Sequence, residues 1–270
     1  MNSIATEKLD IAYDETLIVK ALDMEIPRGK ITSIIGPNGC GKSTVLKAIG
    51  RVLKPRNGAV YLEGEDIRSL STKEIAKKMA VLPQTPLAPS GLTVSELVAY
   101  GRFPHQRGFG KLTPEDRKII RWALSATKLN EFENREVDTL SGGQRQKVWI
   151  AMALAQQTGV ILLDEPTTYL DMAHQLEVLE LLYDLNHNQD CTIVMVLHDL
   201  NLAARFSDYM VAIRDGAIIK HGIPDQVMVP SVLRDAFGID AEIVREPRAG
   251  RPVCLTYGLL HQAEKKAVNS

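Results

Sequence analysis

Apolar residues follow two different patterns along the chain. Near the N-terminus they alternate with polar residues over Leu9–Tyr13 and Val19–Ile26, which predicts strands with one buried face. Further on they form largely apolar, β-branched runs without this alternation, which predict buried strands at Ile31–Ile35, Val160–Glu165 and Thr192–Leu197. Helical patterns separate these runs, so the sequence predicts an α/β fold with an antiparallel β subdomain.

The middle of the chain has a helical character. Prolines and a glycine interrupt the strand pattern over Pro86–Gly91. Two helix start signals follow, a capping box at Thr93 and an N-cap followed by proline at Thr113. We therefore predict a single domain over residues 1–270, in which an α/β core (1–85 and 158–270) carries an inserted α-helical subdomain (86–157).

Composition narrows the function classes. The formal net charge is −1, so no global basic field indicates a nucleic-acid partner, and we expect none. The odd number of widely spaced cysteines (Cys40, Cys191, Cys254) excludes a disulfide framework and fits a reducing compartment. Met1–Glu15 carries charges and lacks an apolar signal core, and no apolar run approaches the ~18 residues that span a membrane. We expect a soluble, cytosolic protein that works at a membrane only through partners.

A glycine-rich segment follows the apolar strand Ile31–Ile35 and precedes a helix predicted over Val45–Leu53. The pattern G-x-x-x-x-G-K-[ST] in this context binds phosphate, because the glycines let backbone N–H groups point inward and the helix start adds its positive dipole end. Lys42 supplies a charge for the β- and γ-phosphates, and the Ser43 hydroxyl can ligate Mg²⁺. A turn without a ligand is the weaker alternative, since every pattern position is met. The predicted phosphate-binding residues are Gly36, Pro37, Asn38, Gly39, Cys40, Gly41, Lys42, Ser43 and Thr44.

Two acids end the apolar run that begins at Val160. Ligands of open α/β sheets bind outside the carboxyl ends of the strands. Asp164 is therefore placed to hold Mg²⁺ directly or through water, and the Glu165 carboxylate can orient and deprotonate an attacking water. Two acids in a solvated loop are the ordinary alternative, which the preceding phosphate-binding loop disfavours.

The pentapeptide Leu140–Gln144 has the sequence LSGGQ. It forms an S-x-x-Q capping box at the start of a helix predicted to run to Gln157. Two glycines in the first turn leave backbone N–H groups uncovered, which predicts a second anion site at a helix start. A helix cap without a ligand is the alternative.

The order of these motifs resembles that of the nucleotide-binding subunits of ABC transporters. The glycine-rich segment 36–44 corresponds to the P-loop of that family, and LSGGQ corresponds to its signature. Gln84 lies between the two, the strand that ends in two acids follows the signature, and His198 follows the next strand. The resemblance covers nearly the whole chain. It implies a P-loop NTPase core of the RecA-like type that binds ATP and Mg²⁺ and hydrolyses ATP. It also implies an ATP-sandwich dimer, in which the P-loop of one copy faces the signature of the other and hydrolysis opens the dimer.

The resemblance implies a role for each motif residue. Tyr13 is similar to the aromatic residue that stacks on adenine, with a buried strand tyrosine as the alternative. Gln84 is similar to the glutamine that contacts Mg²⁺ and senses the transmembrane partner, and His198 to the histidine that contacts the γ-phosphate. Asp171 is similar to a residue that crosses the dimer interface, and is equally placed as a helix N-cap. The implied catalytic residues are Glu165, His198 and Gln84, the Mg²⁺ ligands are Ser43, Gln84 and Asp164, and the residues acting in trans are Ser141, Gly142, Gly143, Gln144 and Asp171.

Several kinds of ABC protein share this core. DNA-repair relatives insert a long coiled coil between P-loop and signature, but fewer than a hundred residues separate them here. Translation-factor relatives carry two such units, and exporters usually fuse a membrane domain. A separate subunit of this length resembles the ATPase of a bacterial importer. That resemblance implies a place at the cytoplasmic face of the membrane with two permease subunits and, indirectly, a substrate-binding lipoprotein or periplasmic protein.

Two segments resemble a particular importer subgroup. Val98–His105 and Phe237–Glu242 are similar to segments of ATPases that serve iron(III)-siderophore, haem and vitamin B12 importers. An iron(III)-siderophore is the expected substrate, and vitamin B12, haem or a metal ion stay open because the transported molecule does not touch this subunit. Two other classes of protein remain as alternatives. The first is a P-loop phosphotransferase, which the LSGGQ signature disfavours. The second is a soluble regulator that binds ATP without hydrolysing it, which the presence of Glu165 disfavours.

Overall fold

A computed structural model describes residues 2–106 and 111–260. Their contacts form two compact units, one of Met1–Ile67 with Val194–Ser270 and one of Arg68–Ile193. The predicted core and helical subdomain have other boundaries, at residues 85 and 157, and stay a prediction. The segment predicted as helical, 86–157, belongs to the second unit.

The secondary structure follows the α/β pattern expected from the sequence. The strands are β1 (Asn2–Tyr13), β2 (Thr16–Pro27), β3 (Ile31–Ile35), β4 (Asn57–Leu62), β5 (Glu65–Asp66), β6 (Met79–Leu82), β7 (Val160–Leu163), β8 (Thr192–Val196), β9 (Tyr209–Arg214), β10 (Ala217–Gly222), β11 (Ile239–Arg245) and β12 (Pro252–Leu259). The helices are α1 (Lys42–Ile49), α2 (Thr72–Lys78), α3 (Val94–Ala99), α4 (Pro114–Ala126), α5 (Gly142–Ala155), α6 (Met172–Gln189), α7 (Leu200–Phe206), α8 (Pro224–Val227) and α9 (Pro230–Phe237). Short 3-10 helices lie at Tyr100–His105, Asn130–Phe132 and Val137–Thr139.

The first unit contains the expected antiparallel sheet. Its strand order is β2-β1-β4-β5, and β1 pairs antiparallel with both β2 and β4. Leu9 and Ile11 of β1 are fully buried while Asp10 between them is not, as the alternating pattern predicts. The antiparallel β subdomain is therefore confirmed.

A second group of strands in this unit carries the glycine-rich loop. Strand β3, buried at all five residues, runs parallel to β9, and β9 turns back into β10 through Asp215 and Gly216. The Leu197 N–H donates to the Ile34 carbonyl at 3.2 Å, so the end of β8 lies beside the end of β3. The parallel pairing places the loops that follow β3 and β8 at one edge of the sheet.

Helix α1 differs from its predicted bounds. It begins at Lys42 rather than Val45, because the loop curls directly into the first turn and the Val45 N–H already bonds to the Gly41 carbonyl at 2.8 Å. It ends at Ile49 rather than Leu53, because the Gly50 N–H closes the last turn and Arg51 takes a φ of 57°.

The second unit contains the parallel pair β6 and β7 and most of the helices. A capping box opens α3 at Thr93, as predicted. Thr113 is the predicted N-cap of α4, and the structure adds a capping box there with Asp116. Helix α2 also opens with a capping box. Ser71 caps this helix, because its hydroxyl accepts from the Glu74 N–H at 3.2 Å while the Glu74 carboxylate accepts from the Ser71 N–H at 2.7 Å.

A buried ion pair holds the segment Tyr100–His105. Arg102 Nε lies 2.8 Å from Asp116 Oδ1 of α4, and Arg102 Nη1 donates to the Ala155 carbonyl at the end of α5 at 2.7 Å. Burial raises the pKa of Asp116, but hydrogen bonds from Thr113 and Arg102 outweigh it and lower the pKa to about 2. This pair fixes most of the segment whose sequence resembles that of siderophore-importer ATPases.

Two sequence expectations concern the chain as a whole. The cysteines at 40, 191 and 254 are free and buried, which confirms that no disulfide framework exists. Within residues 2–106 and 111–260, no helix is long and apolar enough to cross a bilayer.

Candidate functional site

The loop between β3 and α1 is shaped by close contacts that only glycine permits. Gly36 has a φ of 154°, and a Cβ there would lie 2.1 Å from the Ile213 carbonyl oxygen and 2.7 Å from Cys40 Sγ. The backbone of β9 therefore presses against the loop and forces it to curl. The Cys40 thiol is itself buried, and burial raises its pKa, so it is a packing residue rather than a reactive thiolate.

Lys42 lies inside this curl. Its Nζ donates to the carbonyls of Gly36 at 2.9 Å and Pro37 at 2.8 Å, and the residue is only 5% exposed. The ammonium group is thus held at the start of α1, where the helix dipole is positive. Such a concentration of positive charge, at a helix start that no side chain caps, is typical of phosphate-binding sites, and the predicted role of this loop stays a prediction.

Tyr13 and His198 belong to the same unit as the loop. Tyr13 ends β1 and is 43% exposed, so the alternative of a buried strand tyrosine is wrong. Its partner strand β2 passes the loop, since a Cβ on Gly41 would lie 3.2 Å from Val19 Cγ2. His198 follows the end of β8 and is exposed, and Asp199 then caps α7 by accepting from the Leu202 N–H at 2.8 Å.

The two acids that follow β7 have different surroundings in the second unit. Asp164 is only 4% exposed, and its N–H donates to the Leu82 carbonyl at 2.9 Å. Glu165 is less buried, and its Oε2 accepts from Gln84 Nε2 at 2.5 Å and from Thr168 Oγ1 at 2.9 Å. The structure therefore brings the predicted residues Gln84 and Glu165 into direct contact.

Glu165 also has an unusual backbone conformation. Its φ is 51°, which lies in the left-handed region that side chains rarely adopt and costs about 1–3 kcal/mol. Thr168, which sequence reasoning missed, helps to hold this conformation, since its N–H donates to the Glu165 carbonyl at 3.2 Å. The only sequence signal for this role was that Thr168 lies three residues after Glu165, which places both in one turn. A carboxylate oriented by two donors can position a water and accept its proton.

The signature segment forms the predicted capping box. Ser141 Oγ accepts from the Gln144 N–H at 3.3 Å, and Gln144 Oε1 accepts from the Ser141 N–H at 3.1 Å. Gly143 is needed for a different reason, because a Cβ there would lie 2.5 Å from His174 Cδ2 on α6. The start of α5 and the first turn of α6 are therefore packed directly against each other.

Asp171 completes this arrangement and does cap a helix. Its Oδ1 accepts from the His174 N–H at 2.9 Å and lies 2.8 Å from His174 Nδ1. The His174 backbone hydrogen bond, followed by its side-chain bond, lowers the pKa of Asp171. His174, which the sequence analysis missed, thus links Asp171 to the signature. Its i+3 spacing from the cap residue was visible in the sequence, but its contact with Gly143 is tertiary.

The candidate Mg²⁺ ligands are oxygen donors of different kinds. Ser43 offers a hydroxyl in the first turn of α1, while Gln84 and Asp164 offer an amide oxygen and a carboxylate in the second unit. Mg²⁺ prefers such hard oxygen ligands and usually keeps waters and substrate phosphates in its shell. Each of the three side chains therefore offers a donor type that suits Mg²⁺, and their joint role stays a prediction.

Comparison with known proteins decides the family. A family profile described as "ABC transporter" matches residues 19–168, more than half of the chain. The chain belongs to the ABC transporter family. It is an ATP-binding subunit whose ATP hydrolysis is coupled to transport.

Individual relatives agree with this assignment. The chain is 61% identical over 268 residues to the iron(3+)-hydroxamate import ATP-binding protein FhuC of Bacillus subtilis (strain 168), with 99% of both chains covered. It is 43% identical to the ferric enterobactin transport ATP-binding protein FepC of Escherichia coli (strain K12), with 93% of both covered. The dimeric post-hydrolysis structure of the ATP-binding cassette MJ0796 with ADP and Pi is similar at a TM-score of 0.71 and 32% identity, covering 82% of this chain and 98% of that one. The expected P-loop NTPase fold is thus confirmed.

Proposed function

We propose that this ABC transporter subunit energises the import of iron(III)-siderophores across the cytoplasmic membrane. The observation that carries the proposal is its 61% identity, over 99% of both chains, to an iron(3+)-hydroxamate import ATP-binding protein. A second relative, named for ferric enterobactin transport, is only 43% identical. Because the hydroxamate relative is the more similar of the two, hydroxamate siderophores are the favoured cargo.

In the proposed reaction, the P-loop and Lys42 hold the phosphates of ATP, and Tyr13 stacks on the adenine. Ser43, Gln84 and Asp164 hold the magnesium ion that accompanies the nucleotide. Glu165 accepts a proton from the attacking water, and His198 contacts the γ-phosphate. The contacts of Glu165 with Gln84 and Thr168 support its role as an oriented base.

The signature acts on the nucleotide of a second copy in this proposal. Ser141, Gly142, Gly143 and Gln144 at the start of α5 face the γ-phosphate held by the partner's P-loop, and Asp171 lies at the interface. Closure of the two copies follows ATP binding, and reopening follows hydrolysis. The similarity to a dimeric cassette with ADP and Pi supports this arrangement.

The remaining partners and the location follow from the importer assignment. Two permease subunits bind the ATPase dimer at the cytoplasmic face of the membrane, and a substrate-binding lipoprotein or periplasmic protein delivers the cargo to them. Nothing in this proposal requires the ATPase itself to touch the siderophore.

Uptake by intact cells tests the proposal. A strain without the gene should fail to accumulate radiolabelled iron(III) supplied as a hydroxamate siderophore, and the wild-type gene should restore uptake. The Glu165→Gln variant should not restore it, because it lacks the proposed base. Restored uptake of labelled haem, vitamin B12 or a free metal ion, with ferric hydroxamate uptake unchanged by the deletion, would assign a different cargo. Normal uptake of all of these without the gene would instead favour an ATP-binding regulator.

A further inference from the structure

The first unit contains a second concave site that the nucleotide chemistry does not use. It is a cavity of about 350 Å³ between α7 and the loop that joins β11 to β12. Apolar side chains form one part of its wall, and charged side chains form another. The wall residues that matter here are Leu202, Arg205, Glu246, Arg248, Arg251 and Val253.

The charges of this cavity are unbalanced. Three arginines and one glutamate line it, which leaves a surplus of two positive charges. Glu246 is already engaged, since its carboxylate oxygens accept from the N–H groups of Arg248 at 3.0 Å and Ala249 at 2.6 Å. The Ala249 N–H, and further the charges of Arg248 and Arg205, lower the pKa of Glu246. Arg205 and Arg248 both line the cavity.

The arginines themselves make few contacts with other polar groups. Arg251 Nη1 donates to the Ser207 carbonyl at 3.1 Å, and the Arg205 guanidinium lies 5.0 Å from the centre of the Phe206 ring. Among residues 2–106 and 111–260, no carboxylate forms an ion pair with any of the three. Their fork-shaped donors are the groups that recognise phosphate and carboxylate in pairs of parallel hydrogen bonds.

The walls of the cavity are held in place without a ligand. Asn201 Nδ2 on α7 donates to the Cys254 carbonyl of β12 at 3.1 Å, and the Cys254 N–H donates back to Asn201 Oδ1 at 2.8 Å. The Glu246 N–H donates to the Arg251 carbonyl at 2.9 Å and closes the loop. A preformed site loses less ordering entropy on binding than one that must assemble.

We propose that this cavity binds a small organic anion that carries a phosphate or carboxylate group. The arginines bind the anionic group, and Leu202 and Val253 pack against the organic part. Its volume lies near the lower end of the range of about 300–1,000 Å³ that is usual for small-molecule sites. The ligand would contact α7, which begins two residues after His198.

Equilibrium dialysis with radiolabelled glycerol 3-phosphate and inorganic phosphate tests the proposal. The P-loop also binds phosphate, so the measurement is made on the full-length Lys42→Ala chain. We expect it to bind one equivalent of glycerol 3-phosphate. Adding Arg248→Gln should weaken this binding about 10-fold or more, and adding Arg205→Gln should weaken it further, since each change removes a charged hydrogen-bond donor. Higher salt should weaken it as well.

The matched control is Arg28→Gln, which removes the same charge from an exposed turn of the first unit that does not line the cavity. It should leave the affinity within about twofold, and thermal unfolding of each variant verifies folding. Absence of binding at millimolar ligand, or equal weakening by Arg28→Gln and Arg248→Gln, would overturn the proposal. Vesicles containing phosphatidylglycerol form a second arm. If they bind in an Arg248-dependent manner while glycerol 3-phosphate does not, the site recognises a lipid headgroup and the soluble ligand is wrong.

Discussion

The helix starts at the P-loop and at the signature are both rich in glycine, but they are built differently. At α1 the N-cap residue is Gly41 with a φ of 104°, no side chain caps the helix, and the charged Lys42 follows. At α5 the cap is Ser141, which forms a closed capping box with Gln144. Gly143 of α5 is needed because His174 packs directly against it, whereas the glycines before α1 are needed for a curled backbone.

This difference indicates that the two helix starts have different roles in binding an anion. The start of α1 offers a curled backbone and a buried cation, so it can bind phosphate within one chain. The start of α5 caps itself and offers only a dipole and a small-residue surface, so it favours an anion that is already bound elsewhere. Such a pair fits a nucleotide site shared by two copies.

The largest expected effect is on ATP turnover, and it comes from a residue that belongs to neither helix start. Glu165→Gln leaves α1 and α5 intact but removes the proposed base, so ATP turnover should fall about 10²–10⁴-fold while ATP binding persists. Steady-state hydrolysis by the purified protein measures this. Glu180→Gln is the control, because it makes the same change at an exposed position of α6. Wild-type turnover in Glu165→Gln would show that another group is the base.

A second prediction concerns α1 alone. Lys42→Ala removes the buried cation of the loop and should weaken Mg-ATP binding about 10–100-fold, the cost of losing a charge-assisted hydrogen bond. Calorimetry with Mg-ATP measures the affinity. Lys47→Ala on the same helix should change it little, because Lys47 lies in the last turn. Equal affinities for wild type and Lys42→Ala would contradict the comparison.

A third prediction concerns α5 alone. Gly143→Ala should lower the free energy of unfolding by about 1–3 kcal/mol, because the new Cβ would lie 2.5 Å from His174 Cδ2. Gly142→Ala is the control, since its Cβ would meet nothing closer than Leu170 Cδ2 at 3.9 Å. Urea unfolding of both variants, repeated in a His174→Ala background, measures the coupling. The same loss in both backgrounds would mean that packing against His174 is not the reason for Gly143.

The smallest effect concerns the far end of α5, which Arg102 and Asp116 anchor. Because folding lowers the pKa of Asp116 from 3.8 to about 2, its contribution is complete above pH 4 and is lost as the pH falls towards 2. This acid-dependent part is at most about 2.5 kcal/mol. Unfolding free energies between pH 5 and 2 should fall less steeply in Asp116→Asn than in wild type. Glu115→Gln, at an exposed ion pair, should retain the wild-type slope.

Local signals were enough to predict much of this molecule. The buried runs, the capping boxes at Thr93 and Ser141 and the N-cap at Thr113 depend on a few neighbouring residues, and the structure confirms them. The bounds of α1 could not be read in this way, because they depend on how Gly50 and Arg51 end the helix.

The rest depends on contacts between distant parts of the chain. The close approach of His174 to Gly143 and the Gln84–Glu165 hydrogen bond arise from the packing of separate elements. The arginine-lined cavity joins residues from α7 with residues of the β11–β12 loop, so no local motif marks it. The roles of the individual site residues in ATP hydrolysis remain predictions.

Mixing two inactive variants tests the shared site most directly. Lys42→Ala disables the P-loop of its own chain, and Ser141→Arg blocks the signature that serves the partner. In a mixed dimer one site carries both lesions and the other carries neither. Light scattering with ATP, on chains that also carry Glu165→Gln, should show a dimer in the mixture that neither variant forms alone. No dimer in the mixture, together with normal ATP hydrolysis by a chain that carries only Ser141→Arg, would contradict a site shared between two copies.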